Sequence, residues 1–512
     1  MTGAAPEPNE LGPAESAALR DALDATGAIG ATYRQLASVL DVPVLWVQEA
    51  LERWERDGSV HRLGRGLWVL QAYAALHERD DFVEPKVFDE RFLRETGVAI
   101  GSYRGPITFR GNEAQPVHRW WPYVQGYSAD FVRGVLAEAE VGRGGTVLDP
   151  FAGSGTTLVE ARSAGARAVG VELLAPAVLA ARVKTAFELD GALLLRRAEA
   201  TARSARRRSP GELPFLRETR RQFSEAALDE LLRLRDAVPR EGSPVGDAVR
   251  LAFGRILIPS SRLHRSPCLG YRRSAENAGP TPVERFLEAA TVMVDDLRGL
   301  RAARRRWGPP ARVERRDART LELPPGSVDL AVTSPPYVNG MDYVMNYKVD
   351  LAWLGYAKSY ADLRALRRTE VACDNLPRTE TTNYLASGSA PDPWLREILP
   401  RMQENVRRKG TYRRDDMHAV VHRYFADLVP VLARVREALR PNSRFVLVVG
   451  DSLLAGTYVP GDLILARIAA RLGFEISSVD IARSRRSGQR RSFTLRESVV
   501  TLRRPASLRR SA

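Results

Sequence analysis

Two short stretches of this 512-residue chain carry residue types that can do chemistry. The first is Val147-Leu148-Asp149-Pro150-Phe151-Ala152-Gly153-Ser154-Gly155-Thr156-Thr157. Val147-Leu148 is a short apolar run, as expected of a buried parallel strand. Gly153 and Gly155 allow a sharp turn and let the backbone approach a ligand closely. Thr156–Ala161 then has helical character, with Gly165 as a stop signal. Ala168-Val169-Gly170-Val171-Glu172 reads as a second strand ending in an acid. Strand, glycine loop, helix, strand and acid form the nucleotide-binding half of a doubly wound sheet, with the acid placed for ribose hydroxyls. The second stretch is Val328-Asp329-Leu330-Ala331-Val332 followed by Thr333-Ser334-Pro335-Pro336-Tyr337. It reads as a strand stopped by two prolines, which fix φ and remove two N–H donors. The loop is therefore rigid, and its carbonyls are open to an outside donor. Ser334 Oγ and the Pro335 carbonyl suit the two N–H groups of an exocyclic amine. Tyr337 offers a stacking face to a base taken out of a helix.

Together these motifs resemble the S-adenosylmethionine-dependent amino-methyltransferases of DNA, which act on cytosine N4 or adenine N6. The resemblance covers roughly residues 115–190 and 310–503 and is strong at both motifs. It implies an α/β fold with a Rossmann-like methyltransferase sheet of seven strands. It implies S-adenosylmethionine as cofactor and duplex DNA, with one base flipped, as substrate. Within the cofactor loop it points to Asp149, Phe151, Gly153, Gly155 and Thr156. Glu172 would take the ribose hydroxyls. Asp317, in Arg316-Asp317-Ala318, would accept from the adenine amine. Tyr123, in His118-Arg119-Trp120-Trp121-Pro122-Tyr123, would help close the methionine side. Ser334, Pro335, Pro336 and Tyr337 would be catalytic. The sulfonium methyl is already electrophilic, so the enzyme mainly supplies alignment and a dry site. Serine at the head of the Pro-Pro-Tyr loop tilts the expectation toward cytosine N4 over adenine N6. The resemblance also suggests restriction-modification or phage defence, with a partner nuclease or other defence proteins. Two other readings stand beside it: an RNA base methyltransferase, and an inactive DNA-binding scaffold with a vestigial fold.

Composition bounds the partners. The chain has 77 Lys and Arg against 62 Asp and Glu, for a formal net charge of +15. Phosphate contacts by Lys and Arg supply most nucleic-acid affinity, so a polyanionic partner is expected. The two cysteines, Cys268 and Cys373, give no disulfide framework and fit a reducing cytoplasm. The six histidines show no zinc spacing, and no metal is expected. Met1–Pro13 shows no signal pattern, and no run of 18 apolar residues predicts a membrane span.

Other elements must position or extend these motifs. Residues 1–14 read as a disordered N-terminus. Residues 15–75 read as helix, helix, turn, helix and β-wing, a small winged-helix domain with Arg65 at the wing tip. Glu49, Glu52 and Glu55 make its third helix less than basic, so both DNA contact and protein docking are open. Residues 76–114 read as a linker, and 115–200 with 311–503 as the catalytic domain. Residues 201–310 read as a helical insertion opened by a basic linker, Arg203–Pro210. Within it, Arg262, Arg265, Arg272 and Arg273 are candidate nucleic-acid contacts. Arginine-bearing segments at 357–430 and 483–491 are further candidates, and 504–512 reads as a basic tail.

Overall fold

The computed structural model describes residues 11–26, 30–63, 67–78, 85–123, 125–239, 242–265, 268–272, 279–303, 306–338, 342–372, 390–409, 414–486 and 493–506. Its centre is one mixed sheet of eight strands. In order across the sheet these are Ile100–Ser102, Glu475–Arg486, Thr494–Arg503, Leu439–Gly450, Val328–Thr333, Thr146–Asp149, Arg167–Glu172 and Arg312–Arg315. The last five run parallel, and Thr494–Arg503 is antiparallel to both of its neighbours. This is a methyltransferase-like α/β sheet.

The register explains why the two motifs work together. Leu330 pairs with Val147 and Ala331 with Leu148, so the glycine loop and the Ser-Pro-Pro-Tyr loop leave one carboxyl edge side by side. Ligands of open parallel sheets bind beyond that edge. All four residues are fully buried, consistent with the continuous apolar runs of a covered sheet.

Three expectations are corrected here. The sheet has eight strands rather than seven, because Ile100–Ser102 adds parallel to Glu475–Arg486. That strand lies within 76–114, so this stretch is not simply a linker. Its helix Pro85–Thr96 buries Phe88 and Phe92 in the main core, and Asp89 pairs with Arg496 at 2.8 Å. Two phenylalanines four residues apart in an otherwise polar segment form one buried stripe. Finally, Arg203–Arg206 closes the helix Gly191–Arg206 rather than starting a linker, so the 200/201 boundary falls inside a helix. Ala198, Ala202 and Ala205 continue its buried face.

The helices Gly191–Arg206, Glu225–Ala237, Pro244–Leu257 and Pro282–Ala302 pack together in one cluster. Ser224, Ser243 and Thr281 cap the last three by accepting the N–H three residues on. Their core is shared with helix Ala175–Thr185 and with Trp120, Trp121 and Tyr123, so this layer reaches the cofactor loop. Between the last two of these helices lies a small antiparallel pair, Leu263–Arg265 with Leu269–Tyr271.

At the N-terminus, helices Pro13–Ala25, Tyr33–Leu40 and Val44–Arg56 pack on a three-stranded antiparallel sheet, Ala31–Thr32, Leu67–Leu70 and Val60–Leu63. Leu19, Leu23, Leu36, Val47, Leu51 and Trp68 form its separate core. Thr32 caps the second helix in a reciprocal pair with Gln35. Among the described residues, no helix is long and apolar enough to cross a membrane.

One buried acid makes the fold pH-sensitive. Asp451 is 1% exposed at the end of strand Leu439–Gly450. It accepts from the Arg496 N–H at 2.7 Å and the Tyr458 hydroxyl at 2.8 Å. Burial first, and Asp462 second, raise its pKa to about 7. The fold therefore favours the protonated form. The stability linked to that proton is complete below about pH 4, the ordinary aspartate value, and is lost as pH rises through 7. Urea unfolding of wild type and Asp451→Asn at pH 5 and pH 8 checks this. The wild type should lose more stability between the two than the variant; equal losses would contradict the assignment.

Candidate active site

The cofactor loop is fixed from below by Asp149. This carboxylate is 1% exposed and accepts from Thr333 Oγ1 at 2.6 Å, the Tyr127 hydroxyl at 2.7 Å and the Phe151 N–H at 3.0 Å. One side chain thus joins the two motif-bearing strands and the segment before them. Burial pushes its pKa up, and these hydrogen bonds oppose the shift. Above it, Gly153 has φ +51° and Gly155 φ +87°, the left-handed region that favours glycine. A Cβ on Gly155 would lie 2.9 Å from the Ala181 Cα, and one on Gly153 would lie 3.0 Å from the Tyr123 ring. Gly155 also begins the helix Thr156–Ser163.

Glu172 closes the loop. Its carboxylate accepts from Gly153 N–H and Leu174 N–H, both at 2.8 Å. Burial raises its pKa, and those two N–H groups pull it back. A cavity opens beyond this loop. Of the residues singled out in the sequence, Tyr123, Phe151, Gly153, Thr156, Glu172, Asp317, Ser334 and Pro336 line it. Asp149, Gly155, Pro335 and Tyr337 do not; the first two support the loop from behind.

Tyr337 is corrected in its surroundings. Its ring packs on Gly450, where an added Cβ would come within 2.9 Å, and its hydroxyl hydrogen-bonds with Glu497. It is half-buried and braced beside this cavity rather than lining it. The loop is held further by the Tyr424 hydroxyl, which donates to the Pro336 carbonyl at 2.8 Å. Asp317 is gripped in a fork by Arg319, at 2.7 Å to Nη2 and 3.0 Å to Nε. Arg319 also reaches Asp427 at 3.0 Å and the Thr369 carbonyl at 2.8 Å.

The arginine candidates divide. Arg262 and Arg272 are exposed. Arg265 turns inward: its side chain is 10% exposed, pairs with Asp350 at 2.5 Å and lies 4.1 Å over the Tyr347 ring. Tyr347 in turn stacks on Tyr123, with centroids 5.6 Å apart. Arg265 therefore buttresses the cavity wall and is not placed to meet a nucleic acid. The neighbouring carboxylate explains this, because a guanidinium beside a buried Asp is held there. Arg414 likewise pairs inward with Asp416 at 2.6 Å. Arg65, Arg273, Arg413 and the tip 487–492 fall outside the described residues.

Several groups at the site escaped the sequence reading. Lys184 is fully buried and donates to the Trp121 carbonyl at 2.8 Å and to Ser154 Oγ at 3.1 Å. Burial, then Arg255, hold its pKa well below the lysine range. Asp296 accepts from the Val117 N–H at 2.9 Å and the Trp120 Nε1–H at 2.8 Å, fixing the turn before Tyr123. Tyr343 and Glu370 line the cavity. A lysine twelve residues after a cavity acid at 172 and carrying no neighbour motif gives no signal of its own; only three-dimensional packing finds it.

The lining brings the glycine loop together with two acids, Glu172 and Asp317. Residues 135–181, spanning the glycine loop and Glu172, match the DNA methylase family model. Type II methyltransferase M.AvaI of Nostoc sp. (strain PCC 7120) is 24% identical over 464 residues, covering 84% of this chain and 96% of its own. Type II methyltransferase M.BsoBI of Geobacillus stearothermophilus is 23% identical over 412 residues, covering 72% and 81%. Solved structures align only loosely. A geranyl diphosphate methyltransferase with GPP and sinefungin gives a TM-score of 0.27 at 10% identity, covering 84% of this chain and 97% of that one, too little to bear on function.

The family match and the two relatives identify an S-adenosylmethionine-dependent methyltransferase. The protein is a DNA methyltransferase of the kind that modifies cytosine N4 or adenine N6.

Proposed function

We propose that the enzyme methylates cytosine N4 at a specific duplex sequence, as the modifying half of a restriction-modification or related defence system. The observation that carries this reading is Ser334 at the cavity wall, heading a rigid loop next to the glycine loop. When bound, S-adenosylmethionine supplies the electrophilic methyl. The chain's own residues do the rest. Ser334 and the Pro335 carbonyl receive the amine hydrogens and orient the nitrogen. Tyr337, braced by Glu497 and Gly450, is the aromatic wall on the acceptor side. Glu172 and Asp317 hold the adenosyl end. No side chain must take a proton before attack, since the amine nitrogen sheds one to water afterwards. The type II designation of both curated relatives supports the defence setting.

The N-terminal helices and antiparallel sheet, 13–70, are read as a winged helix, and 201–310 as the segment nearest the target strand. Arg262 and Arg272 are its outward candidates. In the N-terminal unit Val39, Val44 and Leu45 are 74%, 41% and 66% exposed, which favours protein docking over phosphate contact there.

The test is methyl transfer from labelled cofactor to mixed duplex DNA and to RNA, with nucleosides resolved by mass. N4-methylcytosine in DNA is expected. N6-methyladenine would replace the base assignment, and label in RNA alone would overturn the substrate.

A further inference from the structure

Three acids line the cofactor cavity, and they are not equivalent. Glu172 is engaged by two backbone N–H groups, and Asp317 by the Arg319 fork. Glu370 is different. It is 6% exposed, and its Oε1 accepts from the Val344 N–H at 3.0 Å. Its Oε2 is sealed from solvent and has no hydrogen-bond partner among the described residues. A buried polar atom left without a partner is costly and calls for an explanation. Among the described residues, the one arginine in the lining, Arg316, is turned to Glu314 and Glu322 at 3.4 and 3.3 Å.

We propose that Glu370 reads the charge of the cofactor, its unpartnered carboxyl oxygen favouring the positive S-adenosylmethionine over the neutral-sulfur product. The inference rests on the cofactor assignment and not on which base is methylated. In the reaction the methyl carbon–sulfur bond breaks and a carbon–nitrogen bond forms. Sulfur keeps the electron pair and becomes a neutral thioether, while the amine nitrogen releases its extra proton to water. The cofactor thus loses one unit of positive charge inside a cavity of low dielectric, where charge differences weigh most. A carboxylate in the lining would hold the substrate form and let the product go.

The surroundings support this role. Burial first, then Asp342, raise the Glu370 pKa well above the carboxylate range. Arg367 opposes the shift, and Glu172 adds to it. Asp342 itself pairs with Arg367 at 2.8 Å, and the remaining titratable groups lining the cavity among the described residues are Tyr123, Tyr127 and Tyr343. These shifts favour the protonated carboxyl, and an arriving cation would oppose them.

Isothermal titration calorimetry with S-adenosylmethionine and S-adenosylhomocysteine tests the proposal on wild type and Glu370→Gln. The glutamine is isosteric and can still accept from the Val344 N–H. Wild type should prefer S-adenosylmethionine by tenfold or more. Glu370→Gln should narrow that preference at least fivefold, with S-adenosylhomocysteine affinity within about twofold of wild type. Buffers of different ionisation enthalpy should show proton release on binding S-adenosylmethionine to wild type only. Equal weakening of both ligands would make Glu370 a contact to their shared adenosyl part and overturn the proposal. An unchanged preference would also overturn it. Failure of wild type to bind either ligand would remove the cofactor assignment with it.

Discussion

Gly155→Val abolishes cofactor binding and destabilises the fold by roughly 3 kcal/mol or more. Two costs add. At φ +87° a β-branched side chain is strained by about 1–3 kcal/mol. The new Cβ would also lie 2.9 Å from the Ala181 Cα, and overpacking typically costs about 1–3 kcal/mol. Ala181 cannot give way cheaply, because the contact is helix backbone with no exposed surface. The loop must therefore lift, carrying Gly153 and its hydrogen bond to Glu172 with it. Thermal melting and titration with S-adenosylmethionine check both parts. Wild-type affinity in a folded variant would show that the loop geometry is not what holds the cofactor.

The second large effect is Asp149→Ala. Removing the carboxylate takes the acceptor from the Thr333 hydroxyl and the Phe151 N–H, and leaves the Tyr127 hydroxyl with Thr157 as its partner. Each unsatisfied buried donor costs about 1–3 kcal/mol, so the expected loss is about 3–5 kcal/mol. Turnover should fall further than stability alone predicts, because Asp149 is the tie between the cofactor strand and the acceptor strand through Thr333. Asp149→Asn keeps one acceptor oxygen and should lose about half as much. Urea unfolding of the pair gives the comparison. An alanine variant as stable as wild type would mean the two donors find other partners.

The parts of this enzyme that were legible in its sequence share a physical cause. Thr146–Asp149, Arg167–Glu172 and Val328–Thr333 are short, apolar and bounded by glycine or proline, so local composition alone specifies them. The glycine loop and the Pro-Pro-Tyr loop carry backbone constraints that sequence states directly. Positions defined by long-range contact were not legible. Ile100–Ser102 is a three-residue edge strand whose only argument is its partner, Glu475–Arg486. Glu370 sits 198 residues beyond Glu172 by number, and only folding brings both to one cavity. Arg265 looked like a surface cation because the carboxylate that turns it inward, Asp350, lies in another element. The bracing of Tyr337 by Gly450 and Glu497 is not legible either, because both partners lie more than 100 residues further along the chain.

The inward turn of Arg265 and the anchoring of Val117 and Trp120 by Asp296 bear on how this enzyme can be rebuilt. Both residues lie within 201–310, and both support the cofactor wall, one through Tyr347 and Tyr123 and the other through the turn before Tyr123. The segment is therefore not an interchangeable cassette. A graft from a related enzyme with a different target sequence would leave Asp350, 1% exposed, without its counterion unless the donor segment carried a cation at the same place. Chimaeras that exchange only the outward residues around Arg262 and Arg272 keep this scaffold, and they are the ones in which specificity could be altered without dismantling the cleft.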